Sequence, residues 1–183
     1  MNSTGWVIVI ALVALIIAAA LAYAAWQRRR TTSLQQRFGP EYDHTVAESG
    51  GRRPGETELL QREKEHAQLQ LRPLSAESLQ GYKTEWASIQ QRFVDDPDDA
   101  VTGADNLALR VMAERGYPTQ SFEVGAAQVS VDHPEVVQQY RAAHDLRSES
   151  KDEATTEQLR RALTSYRSLI EELLTDGQQR DSP

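Results

Sequence analysis

Apolar residues are distributed along this chain in two different ways. From Trp6 to Trp26 all 21 positions are apolar, with no charge, Pro or Gly. Beyond residue 30 they recur at three- and four-residue spacings, interrupted at Gly and Pro, which is the mark of amphipathic helices. At 1.5 Å per residue the first run reaches roughly 31 Å, matching a hydrocarbon core of about 30 Å. Ten of its residues are Val, Ile or Leu, contributing roughly −3 to −6 kcal/mol of insertion if centrally placed. Trp6, Tyr23 and Trp26 stand near its ends, where amphipathic rings favour the headgroup layer. The pattern predicts a short extracytoplasmic tail over 1–5 and a transmembrane helix over 6–26.

The flanks set an orientation. Residues 1–5 hold no Lys or Arg, whereas Arg28, Arg29 and Arg30 follow the apolar run. Positive side chains stay on the cytoplasmic face, so the remainder is expected in the cytoplasm. A cleaved signal peptide, with secretion of the rest, is the competing reading. Ala20-Leu21-Ala22 and Ala22-Tyr23-Ala24 both fit a small-x-small cleavage site, but a basic n-region is missing and the apolar run exceeds the usual 7–15 residues or so. The arginine triplet falls short of the roughly 4–8 basic residues that recognise anionic lipid. It reads as a topology signal.

After the anchor the periodicity is helical throughout. Residues 27–53 are expected to be a juxtamembrane linker with short helices: a turn capped by Ser33 and ending at Gly39-Pro40, then a helix from Pro40 to about Glu48. Residues 54–176 are expected to form a soluble helical domain. Its first helix should run from Pro54 to about Leu71, mostly solvated, with a thin stripe of Leu60, Ala67 and Leu71 and a Glu58–Arg62 pair. Ser75 caps the clearest helix, in which Leu79, Tyr82, Trp86, Ile89 and Phe93 share one face and Trp86 anchors the core. Asp96 and Pro97 open the next helix, with Asp98 and Asp99 beside the positive end of its dipole. It stops at Gly116, with Pro118 beyond. In residues 119–131, Phe122, Val124, Val129 and Val131 alternate like a small hairpin, but Ala126-Ala127 suits a helical turn, and the turn is preferred. Asp132-His133-Pro134 opens a further helix, with Asp132 as its cap. Thr155 or Thr156 caps the last, carrying Leu159, Leu163, Tyr166, Ile170 and Leu173 inward and ending at Gly177. Residues 177–183 should fray. The fold class is all-α: one N-terminal transmembrane helix followed by a small soluble helical bundle.

Composition narrows the chemistry. Residues 31–183 carry 17 basic and 27 acidic side chains, a net of −10, the wrong sign for a nucleic-acid binder. No cysteine is present, which excludes disulfides, thiolate catalysis and Cys-based zinc sites. The acidic run Asp95–Asp99 fails as a calcium loop, because its sixth and twelfth positions are Ala100 and Asn106 in place of Gly and Glu. No phosphate loop, His-Glu-x-x-His pair or Gly-x-Ser-x-Gly elbow occurs. The best polar constellation is Asp132, His133, Tyr140, Arg141 and His144, with Glu135 and Asp145 nearby. Tyr140 and His144 share a helix face at i,i+4, and a carboxylate could orient His144 as a base. The simpler reading makes these capping and packing residues. His44 and His66 are expected in solvent.

Four segments carry a resemblance: Arg37-Phe38-Gly39-Pro40-Glu41-Tyr42-Asp43, Gln91-Arg92-Phe93-Val94-Asp95-Asp96-Pro97, Arg115-Gly116-Tyr117-Pro118, and Val131-Asp132-His133-Pro134 with Tyr140-Arg141 and His144. Over about residues 35–175 the chain resembles an uncharacterised bacterial family of membrane-anchored or secreted helical proteins. That family has no assigned activity, so the resemblance implies no catalytic residue. It implies a complete small protein.

The expected function is a membrane-anchored interaction or scaffold protein with no enzymatic activity, cofactor or metal. Trp6, Trp26, Arg28, Arg29 and Arg30 set its place in the lipid bilayer. Only 29 of residues 31–183 are Leu, Ile, Val or Phe; so thin a core gains most from a protein partner or a second copy. The rival is an enzyme or small-ligand sensor built on the Asp132–His144 region.

Overall fold

Gly39 and Pro40 make the first break in the backbone. Gly39 has φ +48°, a conformation that a Cβ disfavours, and Pro40 takes the first helical position, where its missing N–H leaves nothing unsatisfied. The computed structural model describes residues 3–149 and 154–179. Among them every regular element is an α-helix: α1 Ser3–Phe38, α2 Pro40–Glu48, α3 Arg52–His66, α4 Ala76–Arg92, α5 Pro97–Arg115, α6 Phe122–Asp132, α7 Pro134–Glu149 and α8 Thr156–Gln179. The chain divides into two units, 1–37 and 38–183.

The first unit is almost all of α1, a single helix of 36 residues. The separate turn expected from Ser33 does not exist, because no Gly or Pro lies between Gly5 and Gly39 to interrupt the helix, and Leu34, Gln35, Gln36 and Arg37 are good helix formers. Its apolar side chains face outward: Leu15 and Ile16 are each 67% exposed. Within Ala11–Phe38 the mean hydropathy reaches 1.6, and this is the one described helix long and apolar enough to cross a membrane. At the end of the apolar run the Tyr23 and Trp26 rings lie 6.0 Å apart. The Arg30 guanidinium stands 5.8 Å over Trp26.

The second unit is built around α5 and α8. Helix α8 packs on α5 and α7, α4 on α5, α6 on α7, and α2 and α3 on each other and on α7 and α6 respectively. Helix α5 contributes a row of small residues, Ala100, Ala104 and Ala108, flanked by Leu107, Val111 and Met112, all fully buried. The alanines let neighbouring backbones approach, and Tyr140, Tyr166 and Trp86 fill the volume that aliphatic residues do not. Several cap assignments hold. Ser75 accepts a hydrogen bond from the Ser78 N–H at 3.0 Å, and Asp96 accepts one from the Asp99 N–H at 3.0 Å. Thr155, and not Thr156, caps α8, in a reciprocal box with Gln158.

Four elements differ from the sequence expectation. Where a single helical turn is expected within 119–131, Phe122–Asp132 form the three-turn helix α6, capped by Ser121, which accepts from the Val124 N–H at 3.3 Å. Helix α3 ends at His66 because the segment after it is drawn across the end of α5. There the Arg72 N–H donates to the Arg115 carbonyl at 3.0 Å, and a Cβ added at Gly116, itself at φ +95°, would lie only 2.7 Å from the Gln70 carbonyl oxygen. The inner face of α3 is Gly55, Glu56, Leu59 and Arg62, and not Leu60, Ala67 and Leu71. Helix α2, expected in the linker, buries Glu41, Tyr42 and Thr45, so the folded unit begins at Phe38. Helix α8 continues through Gly177 to Gln179; residues 180–183, expected to fray, lie outside the described residues.

Trp86 is 8% exposed and packs in this core, whereas Val94 is 83% exposed. Trp86→Ala is expected to cost about 3–5 kcal/mol and Val94→Ala within about 0.5 kcal/mol, measured by urea unfolding of the full chain in detergent. Equal stability of the two variants would place Trp86 outside the core.

Candidate functional site

A carboxylate with no access to water needs counter-charges, and Glu41 has them. It is 0% exposed. Its Oε1 accepts from Arg62 Nη1 at 2.8 Å and from Arg141 Nη2 at 2.8 Å, and its Oε2 from Gln138 Nε2 at 3.3 Å. Helices α2, α3 and α7 thus meet on one side chain. Pro40 places Glu41 in the first turn of α2, where the helix dipole also favours negative charge.

Arg62 reaches out from this cluster to Glu58 through Nη2, so the i,i+4 pair read from the sequence exists, although its arginine is buried. Burial pushes the Glu58 carboxyl up, but hydrogen bonds from Ser49 and Arg62 outweigh it and hold the group below its ordinary range. Above Arg62 and Arg141 opens a cleft of about 350 Å³, lined also by Glu48, Glu58, Gln61, Glu65, Glu123, Val124, Ala127 and Gln128. Glu123, in the first turn of α6, is held low by its own backbone N–H and by the Ser121 hydroxyl. Gln128 is 5% exposed; its Nε2 donates to Glu65 at 3.4 Å, while its Oε1 has no hydrogen-bond partner.

The polar residues singled out between 132 and 144 do not converge. Asp132 is the last residue of α6 and not the cap of α7. Its Oδ2 accepts from the Tyr117 hydroxyl at 3.3 Å and lies 3.2 Å from His66 Nε2. His133 is buried, with Nδ1 3.2 Å from Glu172 on α8. Tyr140 lies in the core, its ring 5.8 Å from Tyr166. Burial, with the Asp105 carboxylate as the next cause, pushes both phenols well above their ordinary range, so neither ionises near neutral pH. His144 stacks on Phe122 at 3.5 Å, and Tyr140 touches the same ring at 4.8 Å, as their shared helix face implies. Only Arg141 of this group reaches the cleft. His66, expected in solvent, has a side chain only 12% exposed, because Asp132 draws it against α6. His44 is half-buried against Glu48. Among the described residues no group of three or more His, Asp or Glu side chains is placed to hold a metal ion.

Residues of segments 37–43 and 115–118 are tie points of this unit. Phe38 and Glu41 are fully buried, and the Tyr42 hydroxyl donates to Glu56 at 3.1 Å. Arg115, 1% exposed, donates through Nη1 to the Leu173 carbonyl at 2.8 Å.

The lowered Glu58 group sets a pH signature. A carboxyl held below its unfolded value of 4.5 stabilises the fold above that pH and loses the contribution as pH falls through the folded value. The stability difference between the unsubstituted chain and Glu58→Gln is therefore expected at pH 7 and absent in strong acid. A difference that does not change between pH 7 and pH 3 would contradict the assignment. Comparison of the chain with protein-family models, with curated proteins and with solved structures finds no match, so the tie points and the cleft stand on this chain's own residues.

Proposed function

We propose that this chain is a single-pass membrane protein that holds an acidic helical domain at the cytoplasmic face, where it binds a protein partner or a second copy of itself and performs no catalysis. One observation carries the anchoring part. The apolar window of α1 is 0% buried, and with the charge-free run from Trp6 to Trp26 it leaves a lipid-length surface that only a bilayer or another protein would cover. Positive charge follows the run and does not precede it, which supports the inward orientation. The alternative of secretion keeps the same helix as a signal sequence.

The helical domain supports binding through polar surface. Its alanines and tyrosines close the core, and among the described residues the large apolar side chains exposed on it are Val94 and Val124. Little apolar face is thus exposed on its described part for a partner to cover. What favours a partner is charge: a net of −10 over 31–183 suits a basic surface, which it would steer from a distance.

The chain has no cysteine, so single cysteines report topology directly. With a membrane-impermeant maleimide on intact cells, Thr4→Cys is expected to label at once and Asp181→Cys only after permeabilisation. Labelling of Asp181→Cys in intact cells, or its appearance in the medium, would overturn the proposal.

A further inference from the structure

The cleft above Glu41 carries a ligand preference that the anchoring and docking reading does not use. Its two guanidinium groups form its floor and are paired with a buried carboxylate beneath it. Arg62 and Arg141 side chains are 7% and 12% exposed, and both pair with Glu41, Arg62 also with Glu58, while Arg141 Nε has no hydrogen-bond partner. The four carboxylates on the lining, Glu48, Glu58, Glu65 and Glu123, exceed them. With Glu41 behind the wall, the local balance is negative. Two of these carboxylates have neutral hydrogen-bond partners. Glu65 accepts from the Gln61 and Gln128 amides, and Glu123 from the Ser121 hydroxyl and its own backbone. Each keeps acceptor capacity for an incoming cation.

Gln128 is the second, independent observation. It lines the cleft, is nineteen-twentieths buried at 5% exposure, and its amide nitrogen is committed to Glu65 while Oε1 has no partner. A buried acceptor left unpaired is costly, and such groups in native structures are usually met by water or a ligand. An acceptor beside a carboxylate asks for a group that donates several hydrogen bonds, accepts none and carries positive charge. An ammonium does all three. Val124 and Ala127 on α6 add a short apolar strip to the same lining, along which methylenes can lie.

We propose that the cleft between α3, α6 and α7 binds small organic cations bearing primary ammonium groups on an alkyl chain, the linear polyamines being the matching class. A volume of about 350 Å³ lies at the small end of ligand sites and suits a short chain. An anion would meet four carboxylates along the lining against two guanidiniums, each already paired with Glu41. A bare divalent ion would find no set of three converging ligands among the described residues.

The test is titration calorimetry of the purified full chain in a non-ionic detergent at physiological salt, with spermidine as probe. Saturable binding at one site per chain is expected, unaffected by magnesium at equal charge concentration. The double variant Glu65→Gln, Glu123→Gln is expected to weaken it about tenfold or more, since charge-assisted hydrogen bonds are lost. Val124→Lys, at a position 45% exposed and so tolerant of substitution, puts a competing ammonium on the lining and should weaken it comparably; it serves if the double variant does not fold. Absence of saturable binding, displacement by magnesium at equal charge, or unchanged affinity in a folded variant would overturn the proposal. None of these outcomes depends on which side of a membrane the domain occupies.

Discussion

Three helices distant in sequence are held by one carboxylate. Glu41 takes Arg62 from 21 residues away and Arg141 from 100 residues away, and without it two guanidinium groups would be left nearly buried and facing each other. A buried ion pair is weak evidence of net stability, because desolvation offsets much of the attraction, but removing one partner is expensive. Such a cluster therefore selects one arrangement of α2, α3 and α7 over others that an apolar contact would tolerate. The cleft exists because of it: α3 and α7 are held where Arg62 and Arg141 form its floor, and α6 supplies the far wall.

A second network, centred on Asp105, works in the same way. Asp105 on α5 accepts from the Tyr166 hydroxyl at 3.1 Å and pairs with Arg147, linking α5, α7 and α8. Large tyrosines then do the packing that a chain poor in Leu and Ile cannot do with aliphatics. The Tyr166 hydroxyl finds its partner in Asp105, as a buried phenol requires. The domain is a helical bundle whose layers are chosen by charge and filled by Ala and Tyr.

Much of this fold was legible where apolar residues carry the signal. The stripe from Leu79 to Phe93 and the caps Ser75, Asp96 and Gly116 depend on local spacing and backbone chemistry, and those elements form as expected. Helix α6 was not legible, because its inward positions include Gly125, Gln128 and Ser130 while Val124 faces out. Helix α3 misled for the same reason: its inner face contains Gly55, Glu56 and Arg62, which periodicity counts as solvent. The candidate site was hidden altogether. Glu41, Arg62, Gln128 and Arg141 come from four helices, and a charged residue in a helix reads as exposed until its partner is known. Conversely, the cluster between 132 and 144 looked convergent because its members are close in sequence, although they turn to α3, α8, the core and α6.

The claim on which the rest depends is that Glu41 couples α2 to α7 through the core side of the cleft. A double-mutant cycle of Glu41→Gln and Arg141→Gln, read by urea unfolding of the full chain, measures that coupling while cancelling effects common to both single variants. A coupling energy of about 2–3 kcal/mol is predicted. A coupling indistinguishable from zero, with both single variants near the stability of the unsubstituted chain, would contradict the account.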